Sequence, residues 1–592
     1  MAWYIWDKEK NCGKFPLKVN QACFEVNSNS NVPLNLFTRN NECYECDFLP
    51  LGRQIKSNVT TRFIIDTEFG FESYFSNGNN SFCTVKNHFE DFGIYSINVT
   101  EKNCSEIVVL KDPERFWFNI LFLICIFFVA ASIYYVIKSI YKESLQYFYS
   151  SRLTLRELER DVGNIDHRND RYSRIKNSRI KSLDAFRGLA ILIMIFVNYN
   201  GGDYSVFKHS PWNGITIADF VFPWFIWIMG ASTVLSIDNN FRRAQSKKEI
   251  FFRILKRSFY LIALGIVLNS GHRDSKGFLR VCGVLQRIGL TYFIIASLEI
   301  FALKSSLNEH VSYYLNFFFS KKKKNFTIQY DKNFQFGPWN FSRNIIKIWI
   351  QWLVPILLAA IHVIITFTLH VPGCPLGYTG PGGLSDHSAF RNCTGGAAGY
   401  IDRLIITDNH MYHRGSFLKI FKPSVPFDPE GLLGTLTSVF CAFLGVQSAR
   451  ILINHENSFS KIKSWIFWAI VMGLISGFLC NWSQNSGIIP INKNLWSLSY
   501  VLATSSIAFL ILTTFYTLID FLKVWNGFPL LYPGMNAIAL YLGHSLLKTQ
   551  LPWRWVPFTN THLELLVMDT TATFVWLLIS YVLYKTNVFI SL

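Results

Sequence analysis

The sequence predicts a polytopic α-helical membrane protein of about eleven transmembrane helices, preceded by a small β-rich, disulfide-bearing luminal domain. Of its 592 residues, 50% are hydrophobic, and the mean hydropathy is +0.22, which is too apolar for a soluble chain of this length. Apolar runs of about 20 residues, the length that crosses a bilayer, recur from residue 116 onward. Residues 1–115 lack such runs and alternate apolar and polar positions, as strands do.

The N-terminal 115 residues carry the marks of an oxidising, glycosylating compartment. They contain an even set of cysteines, which allows up to three disulfides and leaves their connectivity open. These cysteines are Cys12, Cys23, Cys43, Cys46, Cys83 and Cys104, and sequons lie at Asn58, Asn79, Asn98 and Asn103. No second Cys-x-x-Cys pair completes a zinc site around Cys43 and Cys46, so we expect these two to form a disulfide. Cys374 and Cys393 can pair in a later loop.

Apolar and basic segments alternate through the rest of the chain. Residues 116–137 form the first predicted transmembrane helix and residues 138–181 a basic cytosolic loop. Residues 182–592 form a ten-helix membrane domain with a luminal loop at 370–430. The formal net charge is +18, but the basic residues gather in loops on one side. This positive-inside pattern predicts a luminal N-terminus and argues against nucleic-acid binding.

The most informative stretch is a helical hairpin from Lys181 to Ser232. A short loop joins its two apolar runs, so Asn198 at the end of the first helix, His209 in the loop and Asp219 near the start of the second helix lie at one membrane face. Polar groups at membrane depth cost several kcal/mol unless they are paired or functional. Their convergence predicts a functional site, although Asn198 and Asp219 could instead only cap their helices.

The chain resembles the heparan-alpha-glucosaminide N-acetyltransferase family. The similar stretches run in one order from Lys181 to the C-terminus: SLDAFRGLAILIMIFVNY, FKHSPWNGITIADFVFPWFIWIMG, GVLQRIG, PGCPLGYTGPGGLSDHSAFRNCTGGAAGYIDRLI, FDPEGLLGTLTSVFCAFLGVQ and YPGMNAIALYLGHS. The resemblance implies acetyl-CoA as co-substrate, terminal glucosamine of heparan sulfate as acceptor, and His209 as the active-site histidine with Asn198 and Asp219 beside it. It also implies a homodimer in the lysosomal membrane.

The phosphates of acetyl-CoA would approach from the cytosol, so basic residues at cytosolic helix ends are candidates for binding them. Arg253, Lys256 and Arg257 lie on one face of the fourth predicted helix, and Arg187 follows Asp184 by one turn. Topology alone also places basic residues at such ends, and Arg187 could simply pair with Asp184.

Other polar residues add candidates. Arg287 lies well inside an apolar run, where an unpaired arginine is costly, and we also assign it to acetyl-CoA binding. Trp212 offers a stacking surface for a sugar, and Lys208, which adjoins His209, is a second candidate for substrate binding. His544 is a second imidazole at membrane depth, for which core packing and substrate binding are equally open. No set of His, Cys and carboxylate residues has the spacing of metal ligands, so we expect no metal.

Acetyl transfer to an amine needs a group that removes the amine proton. His209 can act as a general base or carry the acetyl group as a nucleophile, and the sequence leaves both open. A histidine with a pKa of about 6.5 would be mostly protonated in an acidic lumen. A base role therefore requires burial that lowers the pKa, and predicts a rate that rises with pH.

Two alternatives remain at this stage. One is a membrane acyltransferase that modifies another luminal or extracellular glycan. The other is a transporter in which Asp219, Arg287 and His544 line a permeation path. Transporters of this kind are often built from inverted repeats, and no such repeat is recognisable in this sequence.

Overall fold

The computed structural model describes residues 11–153, 180–270, 279–301 and 349–590, apart from residues 14, 53, 78, 79, 88, 102 and 244. The sequon at Asn79 and the greater part of two predicted basic segments, residues 154–179 and 302–348, lie outside this described part. The strands are β1 Asn11–Cys12, β2 Phe15–Pro16, β3 Gln21–Ser28, β4 Asn35–Asn40, β5 Leu49–Pro50, β6 Thr60–Asp66, β7 Phe71–Asn77, β8 Asn80–Asn87, β9 Ile94–Val99 and β10 Val108–Lys111.

These strands form a β-sandwich. Its two main sheets have the strand orders β10-β9-β3-β6 and β5-β4-β7-β8, and β3 pairs with β9 in parallel while the other pairs are antiparallel. Phe24 on β3 lies opposite Phe63 on β6, and Leu36 on β4 lies opposite Phe75 on β7. All four side chains are buried in one shared core, so the alternating pattern predicted the apolar face correctly.

Disulfides confirm the cysteine analysis. The bonded pairs are Cys12–Cys23, Cys43–Cys46, Cys83–Cys104 and Cys374–Cys393. Three of them lie in the sandwich and the fourth in the loop after residue 370. The sandwich therefore has the cross-links typical of a domain in an oxidising compartment.

The remaining elements are mainly helical. They are α1 Trp117–Leu153, α2 Lys181–Asn198, α3 Ile217–Arg242, α4 Lys247–Ser270, α5 Val284–Phe301, α6 Trp349–Thr368, α7 Gly396–Ile406, α8 Leu418–Phe421, α9 Leu433–Asn454, α10 Ser458–Leu479, α11 Leu498–Phe515, α12 Leu531–Met535, α13 Ala537–Leu547 and α14 His562–Lys585. A π-helical turn, Tyr516–Phe521, extends α11. Helix α1 continues past the predicted end at residue 137, into what the sequence suggested was loop.

Each of the eleven predicted membrane runs is at least partly helical in the described residues. Eight helices there are long and apolar enough to cross a bilayer: α1, α3, α5, α6, α9, α10, α11 with its π turn, and α14. Helices α2 and α4 carry charged residues in their first turns, and α13 is short. A multi-pass membrane protein is therefore established, and the count of eleven spans stays a prediction.

The sandwich lies against one end of the helical bundle. It contacts the loop after α2, the loop after α6, the loop after α10 and the start of α14. One contact from each is Glu68 with Lys208 (2.9 Å), the Glu45 carbonyl with the His387 N–H (2.7 Å), Glu42 with Gln484 (3.0 Å) and Asp91 with His562 (2.9 Å). These four points lie on the same side of the bundle, as alternating membrane crossings require.

Helix α3, which begins beside the predicted site, packs closely on α9. A Cβ atom at Gly230 would lie 1.9 Å from the Ala442 carbonyl oxygen, and one at Gly445 would lie 1.9 Å from the Trp227 carbonyl oxygen. The two backbones thus touch through reciprocal glycines, the arrangement that small residues allow between membrane helices.

We expect Gly445→Ala to destabilise the protein, because the new methyl group must push α3 and α9 apart. Overpacking of this kind costs roughly 1–3 kcal/mol or more. Thermal unfolding in detergent should show a lower midpoint. The matched control is Gly473→Ala on α10, where the added atom would meet only the Ser506 side chain, at 3.0 Å. Equal midpoints for both variants would contradict the close packing of α3 on α9.

Candidate active site

The two carboxylate oxygens of Asp219 have separate partners. Thr216 is the N-cap of α3, and Asp219 Oδ2 accepts from the Thr216 N–H and the Ser210 N–H, both at 3.1 Å. Asp219 Oδ1 lies 2.8 Å from His209 Nδ1. The side chain of Asp219 is fully buried. The sequence offered helix capping and a role beside His209 as alternatives for Asp219. Its carboxylate does both, because one oxygen caps α3 and the other faces His209.

Lys493 completes a three-residue cluster with His209 and Asp219. Its Nζ lies 2.8 Å from His209 Nδ1 and 3.4 Å from Asp219 Oδ1. Asn492 Nδ2 donates to Asn213 Oδ1 at 3.0 Å, which holds the Lys493 loop against the hairpin loop. His209 Nδ1 carries either a hydrogen or a lone pair, so it bonds either Asp219 or Lys493 at one time. In the first case, His209 Nε2 bears the lone pair and can accept a proton.

The surroundings lower the pKa of His209 from its ordinary 6.5. Burial disfavours the charged imidazolium, and the Lys493 ammonium repels it, while the Asp219 and Glu430 carboxylates act in the opposite direction. Because 41% of the side chain still meets solvent, screening moderates this effect. The direction is the one that a base in an acidic compartment requires.

A second charged cluster involves the segment between α8 and α9. Arg280 binds Asp428 (2.8 Å) and Glu430 (2.7 Å), and all three side chains are largely buried. Burial opposes ionisation of Glu430, but Arg280, then Arg287 and Lys493, outweigh it and hold the pKa of Glu430 below its usual value. Glu430 is thus a buried anion close enough to act on both Lys493 and His209.

Arg287 is bonded to backbone oxygens. Its Nη2 donates to the carbonyl oxygens of Pro429 (3.2 Å) and Gly431 (2.6 Å), and its guanidinium lies 4.9 Å from the centre of the Trp496 ring. These contacts engage one nitrogen of the guanidinium, while Nε and Nη1 of Arg287 have no hydrogen-bond partner among the described residues. The structure places Arg287 beside the Glu430 segment, at the end of the bundle that faces the sandwich.

Asn198 lies next to His544 in the structure. His544 Nδ1 donates to the Leu540 carbonyl oxygen at 3.0 Å, so His544 Nε2 accepts from the Asn198 amide at 2.8 Å. No hydrogen bond joins Asn198 to His209 among the described residues. The structure thus brings His209 together with Asp219, and Asn198 together with His544.

A cavity of about 240 Å³ lies inside the bundle between α2, α3, α4, α5 and α13. It is mainly apolar, with Arg187 and Arg257 on its wall. Met194 and Tyr541 also line it, one helical turn before Asn198 and His544 respectively. Since a turn rises by about 5.4 Å, the Asn198–His544 pair lies just beyond this cavity, toward His209.

Of the three basic residues predicted on one face of α4, only Arg257 lines the cavity. Arg257 lines it and packs 4.7 Å from the centre of the Tyr292 ring, and its Nε has no hydrogen-bond partner among the described residues. Arg253 and Lys256 are exposed and do not line it. Arg187 pairs with Asp184 at 3.0 Å, as the sequence suggested.

The remaining candidates lie near the sandwich. Lys208 forms ion pairs with Glu68 (2.9 Å) and Asp203 (3.0 Å). Trp212 is buried, donates to the Thr379 carbonyl oxygen at 2.9 Å, and forms part of the wall of a cleft of about 380 Å³. Among the described residues, no group of three His, Cys, Asp or Glu side chains could hold a metal ion.

Sequence reasoning missed Lys493, Arg280, Asp428 and Glu430. Asp428 and Glu430 do stand in the FDPEG motif, which supported the resemblance without being assigned a role. Lys493 lies 284 residues after His209, in a short loop with no pattern of its own. Only the packing of α11 against α2 and α3 brings it to the site.

The apolar helices, with a buried carboxylate, a histidine and a lysine clustered at one end of them, define a multi-pass membrane protein with a candidate proton-transfer site. Comparison with known proteins identifies the family. The family model described as "Heparan-alpha-glucosaminide N-acetyltransferase, catalytic" matches residues 179–361. The heparan-alpha-glucosaminide N-acetyltransferase of Mus musculus is 37% identical over 97% of this chain and 89% of its own length. That of Homo sapiens is 42% identical over 69% of this chain and 59% of its own length. This chain belongs to the heparan-alpha-glucosaminide N-acetyltransferase family and is an acyltransferase.

The charges around His209 predict opposite effects for two variants. Lys493→Met removes a cation that repels the imidazolium, so the pKa of His209 should rise. Asp219→Asn removes an anion that stabilises it, so the pKa should fall. Diethyl pyrocarbonate modifies the neutral imidazole, and its extent at His209 can be followed against pH by mass spectrometry. The midpoint should move up for the first variant and down for the second. Movement in one direction for both would contradict this electrostatic assignment.

Proposed function

We propose that the protein transfers the acetyl group of cytosolic acetyl-CoA to the amino group of terminal glucosamine of heparan sulfate in the lysosomal lumen. The proposal is supported mainly by the positions of the cavity and of His209 along the same helices. The cavity has Arg187 and Arg257 on its wall, and His209 with Asp219 lies at the other end of the same helices. An acyl group carried along such a cavity would reach the histidine from one side while the sugar approaches from the other.

His209 is the proposed base. With its Nδ1 hydrogen donated to Asp219, its Nε2 lone pair can take the proton that the glucosamine nitrogen loses as it attacks the thioester carbonyl. Asp219 stabilises the resulting imidazolium, and Lys493 limits that stabilisation, so the proton can be released again. The thiolate of coenzyme A leaves as the amide bond forms.

Asn198 supports the developing negative charge in this proposal. An amide nitrogen has two hydrogens, and His544 accepts one of them. The second can be donated to the thioester oxygen, since donors preorganised for an oxyanion often contribute a large part of catalysis. His544 would then act by holding the Asn198 amide in a fixed orientation.

The acceptor would bind in the cleft of about 380 Å³ between the sandwich and the membrane-domain loops. Glu42 and Tyr44 from the sandwich and Trp212, Asn213 and Asp386 from the loops contribute to its wall. Aromatic rings, amides and carboxylates suit a sugar ring that bears a cationic amine. The disulfides support a luminal position for this side of the protein. We also propose a homodimer, for which the family resemblance is the only support.

The function is tested with purified protein in detergent, acetyl-labelled acetyl-CoA and glucosamine. Wild type should transfer label to the sugar, and His209→Ala should lower the rate by roughly 10²–10⁴-fold, the usual contribution of a positioned base. His455→Ala is the control, because His455 lies beyond α9 at the opposite end of the bundle. No transfer by wild type would reject the acceptor or the activity, and equal rates for wild type and His209→Ala would reject the role of His209.

The same assay, varied in acetyl-CoA concentration, tests the cavity. Arg257→Met should raise KM for acetyl-CoA by roughly tenfold or more, because a charge-assisted contact contributes about 1.5–3 kcal/mol, while kcat changes little. Lys461→Met is a matched control: Lys461 also lies over a tyrosine ring, at 5.7 Å, but at α10, away from the cavity. An unchanged KM for Arg257→Met would place the phosphates elsewhere.

A further inference from the structure

The segment that leads into His209 has an unusual backbone. Asn200, Gly201, Gly202 and Asp203 have φ angles of 94°, 59°, 68° and 65°, so four consecutive residues lie in the left-handed region. Two of them are not glycine, and such residues cost free energy in this region unless their surroundings impose the conformation. The contacts of residues 201–208, the approach segment, identify what imposes it.

One set of contacts comes from the sandwich at the end of the approach segment. Glu68 pairs with Lys208 at 2.9 Å, and Lys208 also pairs with Asp203 at 3.0 Å. Asn20 donates its side-chain amide to Asp203 at 2.9 Å. Lys208 is the residue immediately before His209. A sandwich carboxylate is therefore paired with the side chain of the residue that precedes the proposed base.

A second set of contacts comes through His562. Its Nε2 lies 2.9 Å from Asp91 Oδ2 in the sandwich, and its Nδ1 lies 2.8 Å from the Gly202 carbonyl oxygen. His562 thus lies between a sandwich carboxylate and the backbone of the approach segment. Asp569 accepts from the Gly202 N–H at 2.8 Å. His562 and Asp91 are buried, so this bridge between the sandwich and the approach segment is shielded from water.

We propose that the β-sandwich is a positioning element of the active site, and that Glu68 acts through Lys208 to place His209. The inference rests on the proposed function, because it assigns the sandwich a part in that reaction. Glu68 does not touch the reacting atoms, and its effect passes through Lys208. Misplacement of a base by about 1 Å can lower a rate on the order of a hundredfold.

A double-mutant cycle tests the proposal in the full-length protein. Glu68→Gln and Lys208→Gln should each lower kcat by roughly tenfold to a hundredfold, with KM for acetyl-CoA unchanged. The double variant should be no worse than either single variant, because both remove the same interaction. Glu25→Gln is the control, since it breaks the Glu25–Arg62 pair on the sandwich away from the approach segment, and it should leave kcat unchanged.

Additive losses in the double variant would overturn the proposal, as would Glu68→Gln behaving like Glu25→Gln. A raised KM for glucosamine in Lys208→Gln alone would also overturn it, because Lys208 would then be a substrate ligand. The rate of diethyl pyrocarbonate modification at His209 is followed in the same samples. If wild type fails to acetylate glucosamine, the modification rate still tests the positioning of His209. Equal changes of this rate in Glu68→Gln and Lys208→Gln support positioning, and an unchanged rate in both rejects it.

Discussion

The arrangement of the candidate active site depends on the carboxylate of Asp219, which makes two kinds of bond at once. One oxygen closes the first turn of α3, and the other faces His209. Because α3 also packs on α9 through Gly230 and Gly445, the carboxylate is fixed relative to the bundle core. The histidine is thereby oriented by the same group that begins a transmembrane helix, so folding of that helix and construction of the site are one event.

The charges around His209 have opposing effects on its protonation. Asp219 and Glu430 favour a protonated His209, whereas burial and Lys493 disfavour it. A base that held its proton too firmly would stop after one transfer, and one that bound it too weakly would not take it from the amine. The balance comes from three segments far apart in sequence, namely the hairpin, the segment with Glu430 and the loop with Lys493, so the protonation of the imidazole depends on tertiary packing.

The sequence predicted the parts of the site that are local. His209 and Asp219 are ten residues apart in one hairpin, so chain geometry alone brought them together. The partner of Asn198 was missed because His544 lies 346 residues later, on a different helix. Arg287 is bonded to backbone carbonyls, which any sequence can supply and which therefore leave no side-chain pattern to detect. A small β-rich domain was predicted from alternation and cysteines, but its sandwich arrangement and its contacts with the approach segment depend on tertiary packing.

The Asn198–His544 pair lies just beyond the membrane cavity and has a consequence for permeability. An enzyme that passes an acetyl group between two compartments must not give protons or ions the same route. In the proposed reaction this hydrogen-bonded pair, with the Leu540 carbonyl behind it, would lie on the path between the cavity and the histidine. Under the proposed function, a path occupied by this pair would admit an acetyl group while restricting the passage of protons and ions.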